Sequence, residues 1–157
     1  MTDNISLTEH DDAAPQSPPE RNPKLQALEA LVGDWLLGNP SAAIGRTSFS
    51  WLQGGFFLVQ RWTVNIPEVP DGIAILGEDA TTGGLIQHYY DSRGIARVYE
   101  MSLEDGVWKL WRNGPDFWQR FTGKLSQDGT AISGAWESSP DGLSWQHDFD
   151  LLYTKVS

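Results

Sequence analysis

The apolar pattern at the start of the folded part of the chain predicts one short helix. Apolar residues recur there every three or four positions, which is helical spacing. Asn22 suits the N-cap, Pro23 suits the first helical position, and Gly33 ends the pattern. The apolar stripe of this helix consists of Leu25, Leu28, Leu31 and Val32.

Beyond Gly33 the pattern changes to aromatic and β-branched runs, separated by Gly-, Asp- and Asn-containing turns at roughly ten-residue spacing. This pattern predicts an all-β domain, a closed antiparallel up-and-down barrel of about ten strands, because closure removes the exposed edges of an open sheet. A two-sheet sandwich is the alternative architecture. Strands are predicted near 34–39, 43–52, 55–66, 72–79, 84–91, 94–103, 106–113, 117–125, 130–138 and 143–155.

The last predicted strand alternates clearly between apolar and polar positions. Because successive side chains of a strand point to opposite faces, we expect its odd-numbered residues to face the interior. His147 is among them. The inward set is Leu143, Trp145, His147, Phe149, Leu151 and Tyr153. Other strands carry aromatic residues on both faces, which suits a barrel with a partly polar lumen.

Composition divides the chain near Asn22. Residues 1–22 hold five acidic side chains, one arginine, three prolines and no aromatic residue. Such a segment cannot bury enough apolar surface to offset its ordering entropy, so we predict a disordered tail at 1–22 and a barrel domain at 23–157.

The net charge of −10 makes nucleic acid and anionic membrane poor partners. The chain starts without a secretory signal pattern and has no window apolar enough to span a bilayer, so we expect a cytoplasmic protein. The absence of cysteine excludes disulfides, thiolate metal sites and a cysteine nucleophile.

The segment Gly33-Asp-Trp35 after a short helix resembles the entry of lipocalin-like (calycin) barrels. Residues 23–156 also resemble a group of uncharacterised bacterial proteins of that superfamily. The residues that carry this second likeness are 51–55, 70–73, 88–94, 116–123 and 145–148. The resemblance implies a barrel that holds a small apolar or amphipathic ligand.

A further resemblance is to the nitrobindin-type haem barrels, which also have ten strands, begin with Gly-x-Trp and ligate iron through a late histidine. It implies His147 as a haem ligand. Without that alternative, no cofactor is expected.

Several polar side chains lie among aromatic residues in predicted strands and are candidates for ligand contact. His88 and Tyr90 share one face of their strand and would orient a ligand or act as an acid–base pair. An inward arginine beside a ring would receive a carboxylate or phosphate. The full candidate set is Arg61, His88, Tyr90, Trp111, Arg112, Trp118, Arg120, Trp145 and His147. Arg93, Arg97 and Glu100 are instead expected to form cross-strand pairs.

The sequence lacks the phosphate-loop, dinucleotide, zinc-protease and serine-hydrolase motifs. We therefore expect a module that binds a small hydrophobic or amphipathic molecule in the barrel lumen, rather than an enzyme. The alternatives are a haem or metal barrel using His147 and an enzyme with a His/Tyr pair in the lumen. The aromatic excess is also consistent with a homodimer.

Overall fold

The computed structural model describes residues 20–157, and its first element is a 3₁₀ helix, Pro23–Leu31. The predicted helix is confirmed. Asn22 caps it: its side-chain oxygen accepts from the Lys24 amide at 3.0 Å, and its side-chain amide donates to the Gly83 carbonyl at 3.0 Å. Most of the predicted tail, residues 1–19, lies outside the described residues.

Ten strands follow, and all ten predicted strands are confirmed with shifts of a few residues at their ends. Each strand pairs antiparallel with the next in the chain, and β1 pairs with β10. The ladder therefore closes on itself, which confirms the barrel and rejects the sandwich. The strands are β1 (Gly33–Leu37), β2 (Gly45–Trp51), β3 (Leu58–Val64), β4 (Gly72–Glu78), β5 (Leu85–Asp91), β6 (Ala96–Glu104), β7 (Val107–Asn113), β8 (Trp118–Leu125), β9 (Ala131–Ser139) and β10 (Gln146–Lys155).

The 3₁₀ helix closes one end of the barrel, which we call the capped end. Its leucines are 0–1% exposed and belong to the same apolar cluster as Trp35 and Leu103. The Trp35 indole donates to the Leu31 carbonyl at 2.8 Å, and the Trp51 indole donates to a Glu29 carboxylate oxygen at 2.7 Å. The opposite rim, where β5 ends and β6 begins, is the open end.

A chain of aromatic rings fills the barrel interior from the capped end toward the open end. Neighbouring ring centroids are 5.0–6.4 Å apart, the distance at which aromatic side chains pack edge-on or stacked. The rings are, in order, Trp35, Tyr153, Trp108, Phe121, Trp136, Tyr99, Tyr89 and Trp62. Space for Phe121 depends on Gly134, where an added Cβ would come within 2.4 Å of its ring.

The facing predicted for the last strand is confirmed at Tyr153, which is 5% exposed and inside the ring chain, but it is wrong at three residues. Leu143 is 86% exposed because β10 starts only at Gln146. The Asp141 carboxylate accepts from the Leu143 amide at 2.8 Å and from the Ser144 amide at 3.0 Å, so this segment forms a turn. Trp145 therefore lies before the strand and not on its inward face.

His147 also faces outward, against the prediction. The register with β9 shifts between His147 and Phe149, so one residue is added to β10 at this point. Such a β-bulge reverses which face the preceding residue occupies. The His147 side chain is 57% exposed and its Nε2 lies 2.8 Å from an Asp150 carboxylate oxygen.

Leu28 should make a large contribution to stability because it closes the capped end and is 0% exposed. We expect Leu28→Ala to reduce the free energy of unfolding by roughly 2–5 kcal/mol, measured by urea denaturation, since buried leucine truncation also leaves a cavity. Leu143→Ala is the matched control, because the same change at an 86% exposed side chain should cost less than about 0.5 kcal/mol. Equal effects of the two substitutions would contradict this role of the helix.

Candidate functional site

Strands β6 and β7 separate at the open end of the barrel. Their ladder ends at the pair Glu100 and Trp111, although β6 begins at Ala96 and β7 continues to Asn113. The unpaired part of each strand is held by its other neighbour, β5 or β8. We call the gap between them the β6–β7 notch.

The β6–β7 notch forms a cavity of about 470 Å³. Its outer wall carries aromatic and apolar side chains together with His88 and Glu100, and its inner wall carries two guanidinium groups. The lining residues that matter for its chemistry are His88, Tyr90, Arg97, Val98, Glu100, Trp111 and Arg112. Tyr90 and Val98 are 42% and 48% exposed, so the outer wall is open to solvent.

Arg97 and Arg112 approach the notch from the interior side. Arg97 lies two residues before buried Tyr99, and Arg112 lies two residues after buried Leu110, so both occupy inward positions of their strands. Their Cζ atoms lie 5.1 Å and 4.9 Å from the centroid of the Phe117 ring. Two like charges are thus held beside one ring.

Neither arginine forms a salt bridge with any carboxylate of residues 20–157. Arg112 donates from Nη1 to the Phe117 carbonyl at 3.3 Å, which leaves most of its donors unused. By contrast, the Arg120 guanidinium contacts both Glu137 carboxylate oxygens, at 3.0 Å and 3.1 Å. The two notch arginines therefore keep the donor groups with which guanidinium binds anions.

Tyr99 and Gln119 form the floor behind the two arginines. The Tyr99 hydroxyl donates to the Gln119 side-chain oxygen at 2.7 Å, and Tyr99 is 2% exposed. Burial raises the pKa of Tyr99, and the nearby positive charges of Arg97 and Arg112 act in the opposite direction. The phenol therefore stays neutral and holds the floor of the site in place.

A second polar cluster lies at the end of β5. The Asp91 carboxylate is 0% exposed, accepts from the Tyr89 hydroxyl at 2.6 Å and forms a salt bridge with Arg93 at 2.7 Å. The Arg93 hydrogen bond is the largest cause of a pKa of Asp91 well below its usual range. Burial, followed by the hydrogen bond to Asp91, raises the pKa of Tyr89. All three groups already have partners, so this cluster is structural.

Four of the nine predicted site residues come together in the β6–β7 notch. His88 and Tyr90 share a face as predicted, but this is the outer face, since buried Gln87 occupies the inner one. The prediction that a His/Tyr acid–base pair lies inside the lumen is therefore wrong. Trp111 lies beside them, and Arg112 is the member of the predicted set that reaches the notch from inside.

The other five predicted residues lie outside the lining of the notch. Arg61 is exposed on β3, and the Trp118 ring packs against Gly142. The Arg120 Cζ atom lies 3.9 Å from the centroid of the Trp145 ring, in addition to its pair with Glu137. His147 forms its own pair with Asp150.

The placement of His147 does not fit a haem held inside the barrel. Its imidazole is on the outer face, and the Phe149 ring, which is 47% exposed, stacks on the Trp136 ring with the two centroids 6.4 Å apart. Among residues 20–157, no three potential His, Asp or Glu ligands come together as a metal site.

Arg97 and Glu100 are the notch residues that sequence reasoning assigned to another role. The sequence predicts cross-strand pairs among Arg93, Arg97 and Glu100, but Arg93 pairs with Asp91 and neither of the other two forms a salt bridge within the described part of the chain. The available signal was the alternation of Arg97 with Tyr99 on one face of a strand. It requires knowing which face is inside, and this information comes from the closed barrel.

The search of solved structures finds a similar fold in "Crystal Structure of Rv2717c from M. tuberculosis", with a TM-score of 0.55 and 17% sequence identity. The match covers 88% of this chain and 100% of that one. At this identity the likeness concerns the fold alone. No protein-family model and no curated protein matches the chain. No helix within residues 20–157 is long and apolar enough to cross a membrane.

The Asp91 cluster should make stability depend on pH in the acid range. The pKa of Asp91 is lower in the folded state than the unfolded value of about 3.9, so its contribution is present above that value and is lost as pH falls through the folded pKa. We expect Asp91→Asn to lower the free energy of unfolding by roughly 1–2 kcal/mol at neutral pH. The effect is no larger because Arg93 is half exposed, so that solvent screens the ion pair.

Urea denaturation at neutral pH and again below about pH 3 measures this difference, which should shrink in acid as Asp91 becomes protonated first in the unfolded wild-type chain and then, at lower pH, in the folded protein. Asp116→Asn, at an exposed carboxylate in the loop before β8, is the matched control and should change little at either pH. A difference for Asp91→Asn that stays constant with pH would show that the charge is not what stabilises the cluster.

Proposed function

We propose that this barrel is a binding module for a small amphipathic anion, which it holds in the β6–β7 notch. The observation that carries the proposal is the pair of inward arginines, Arg97 and Arg112, beside one phenylalanine ring and without a carboxylate partner among the described residues. Two guanidinium groups held close together repel each other. An anion between them is attracted to both and offsets that repulsion.

The apolar part of the ligand would lie against the outer wall. Trp111, Tyr90 and Val98 offer contact area there, and His88 adds a ring that donates or accepts a hydrogen bond. A pocket with apolar walls and a few convergent polar groups is the usual form of a small-molecule site. The notch therefore suits a molecule with one charged end and one aromatic or aliphatic end.

This site lies at the mouth of the barrel and not deep in its lumen. The ring chain from Trp35 to Trp62 occupies the interior between the capped and open ends. A lumenal ligand would have to displace packed aromatic side chains, whereas the notch offers about 470 Å³ without any displacement. The structure thus favours a ligand at the open end.

The fluorescent anion anilinonaphthalene sulfonate tests the proposal, because it combines a single charge with an aromatic body. We expect Arg97→Gln and Arg112→Gln each to weaken its binding roughly tenfold, since a charge-assisted hydrogen bond contributes about 1.5–3 kcal/mol. Arg112→Lys should give an intermediate loss, because lysine keeps the charge but not the planar fork.

Arg61→Gln is the matched control, since Arg61 is an exposed strand arginine on β3 outside the notch, and it should leave dye binding unchanged. Urea denaturation of each variant establishes that it is folded. Binding that is absent in the wild-type protein, or equally affected by Arg97→Gln, Arg112→Gln and Arg61→Gln, would refute the site.

A further inference from the structure

Arg97 and Arg112 lie on opposite sides of the β6–β7 notch. Arg97 is held by the pairing of β6 with β5, and Arg112 is held by the pairing of β7 with β8. The pairing of β6 with β7 ends at Glu100 and Trp111, before it reaches either arginine. Two positive charges across such a gap repel each other, and arginine side chains have considerable rotamer freedom. The strand pairing by itself therefore does not fix the distance between the two guanidinium groups.

The ring of Phe117 contacts both guanidinium groups and bridges the notch. The Cζ atoms of Arg97 and Arg112 lie 5.1 Å and 4.9 Å from its centroid, which is within the range of a cation–π contact. Phe117 belongs to the Arg112 side of the notch, since it directly precedes β8 and its carbonyl accepts from Arg112 Nη1 at 3.3 Å. The contact between Phe117 and Arg97 is therefore the one that crosses the gap.

The Phe117 ring is partly buried and is not among the residues that line the cavity. A ligand in the notch therefore contacts the arginines and not this ring. The face of an aromatic ring carries partial negative charge, so the ring attracts both cations and offsets part of their mutual repulsion before any anion arrives. A guanidinium group that is already in place loses less conformational freedom when the anion binds.

We infer that Phe117 is a positioning residue of the anion site, whose ring holds Arg97 and Arg112 together and acts on the ligand only through them. This role rests on the proposed function and adds to that site a residue that the ligand does not touch. It requires the charge distribution of the ring as well as its volume. An aliphatic side chain of similar size would fill the same space, but it would leave the two guanidinium groups free to separate.

Fluorinated phenylalanines introduced at Phe117 in the full chain test this role, because fluorine weakens the negative potential of the ring face and changes the ring's shape little. We expect the affinity for anilinonaphthalene sulfonate, measured by fluorescence titration, to fall stepwise from phenylalanine through the monofluoro and difluoro to the trifluoro side chain. The total loss should be roughly fivefold, since each cation–π contact at a partly exposed position corresponds to a factor of about two to five. The same series at Phe57, which is 45% exposed and outside the notch, is the matched control and should leave dye binding unchanged.

Natural substitutions at Phe117 show whether the ring acts through the arginines. Phe117→Leu should weaken dye binding roughly fivefold, whereas Phe117→Tyr keeps an aromatic face and should stay within about twofold of the wild-type affinity. In the Arg97→Gln background the further loss caused by Phe117→Leu should shrink to about twofold, because only one cation then remains on the ring. Urea denaturation establishes that each variant is folded, and the fluorinated side chains give the same answer at nearly unchanged size.

Failure of the Phe117 role and failure of the proposed function give different results. If dye binding depends on Arg97 and Arg112 but stays constant along the fluorine series at Phe117, the positioning role is overturned and the anion site stands. The same holds if Phe117→Leu weakens binding by an equal factor with and without Arg97, or if the series at Phe57 has the same effect. If dye binding depends on neither arginine, the proposed function fails and the role of Phe117 fails with it.

Discussion

Closure of the strand ladder is the constraint on which the rest of the molecule depends. Once β1 pairs with β10, every strand has two neighbours, and alternate side chains are directed into one enclosed interior. That interior has to be filled, because a void forfeits the dispersion contacts of its lining. Here aromatic rings that contact their neighbours edge-on or at a tilt fill it, and small residues such as Gly134 make room for the ring of Phe121.

The barrel interior is filled by different kinds of side chain at its two ends. At the capped end, the leucines of the 3₁₀ helix complete the apolar cluster, so this end is buried and closed. At the open end the inward positions hold Asp91, Arg97, Tyr99, Arg112 and Gln119, and the ladder between β6 and β7 stops early. Polar side chains at inward positions need partners. Asp91, Tyr99 and Gln119 have hydrogen-bond partners within the chain. Arg97 and Arg112 instead keep guanidinium N–H groups that are not used in a salt bridge among residues 20–157.

The contrast between the arginines is what supports the proposed binding site. Arg93 and Arg120 each form a salt bridge with a nearby carboxylate, and both pairs hold strands or turns in place. Arg97 and Arg112 share only the face of Phe117. A charged group that has lost part of its hydration and gained no ion pair is costly in a folded protein, and such groups concentrate at binding sites. The structure thus separates arginines that have a carboxylate partner from arginines that have none among residues 20–157, although the two kinds look alike in the sequence.

The sequence by itself determined the helix, the ten strands and their order, because helical and strand periodicities and turn residues are local properties. Leu25, Leu28 and Leu31 determined the helix, and the aromatic and β-branched runs between Gly-, Asp- and Asn-containing turns determined the strands. Part of the notch could also be predicted: its residues His88, Tyr90, Trp111 and Arg112 are candidates from their aromatic surroundings in the sequence.

Only the tertiary structure decided which face of each strand is inside and which residues meet. A single added residue in β10 moved His147 to the outer face, and a hydrogen-bonded turn kept Leu143 and Trp145 out of the strand. Such offsets of one residue leave almost no trace in composition but reverse the direction of a side chain. The site formed by Arg97, Glu100 and Arg112 depends on where β6 and β7 separate, and that is a property of the closed ladder and not of any one segment.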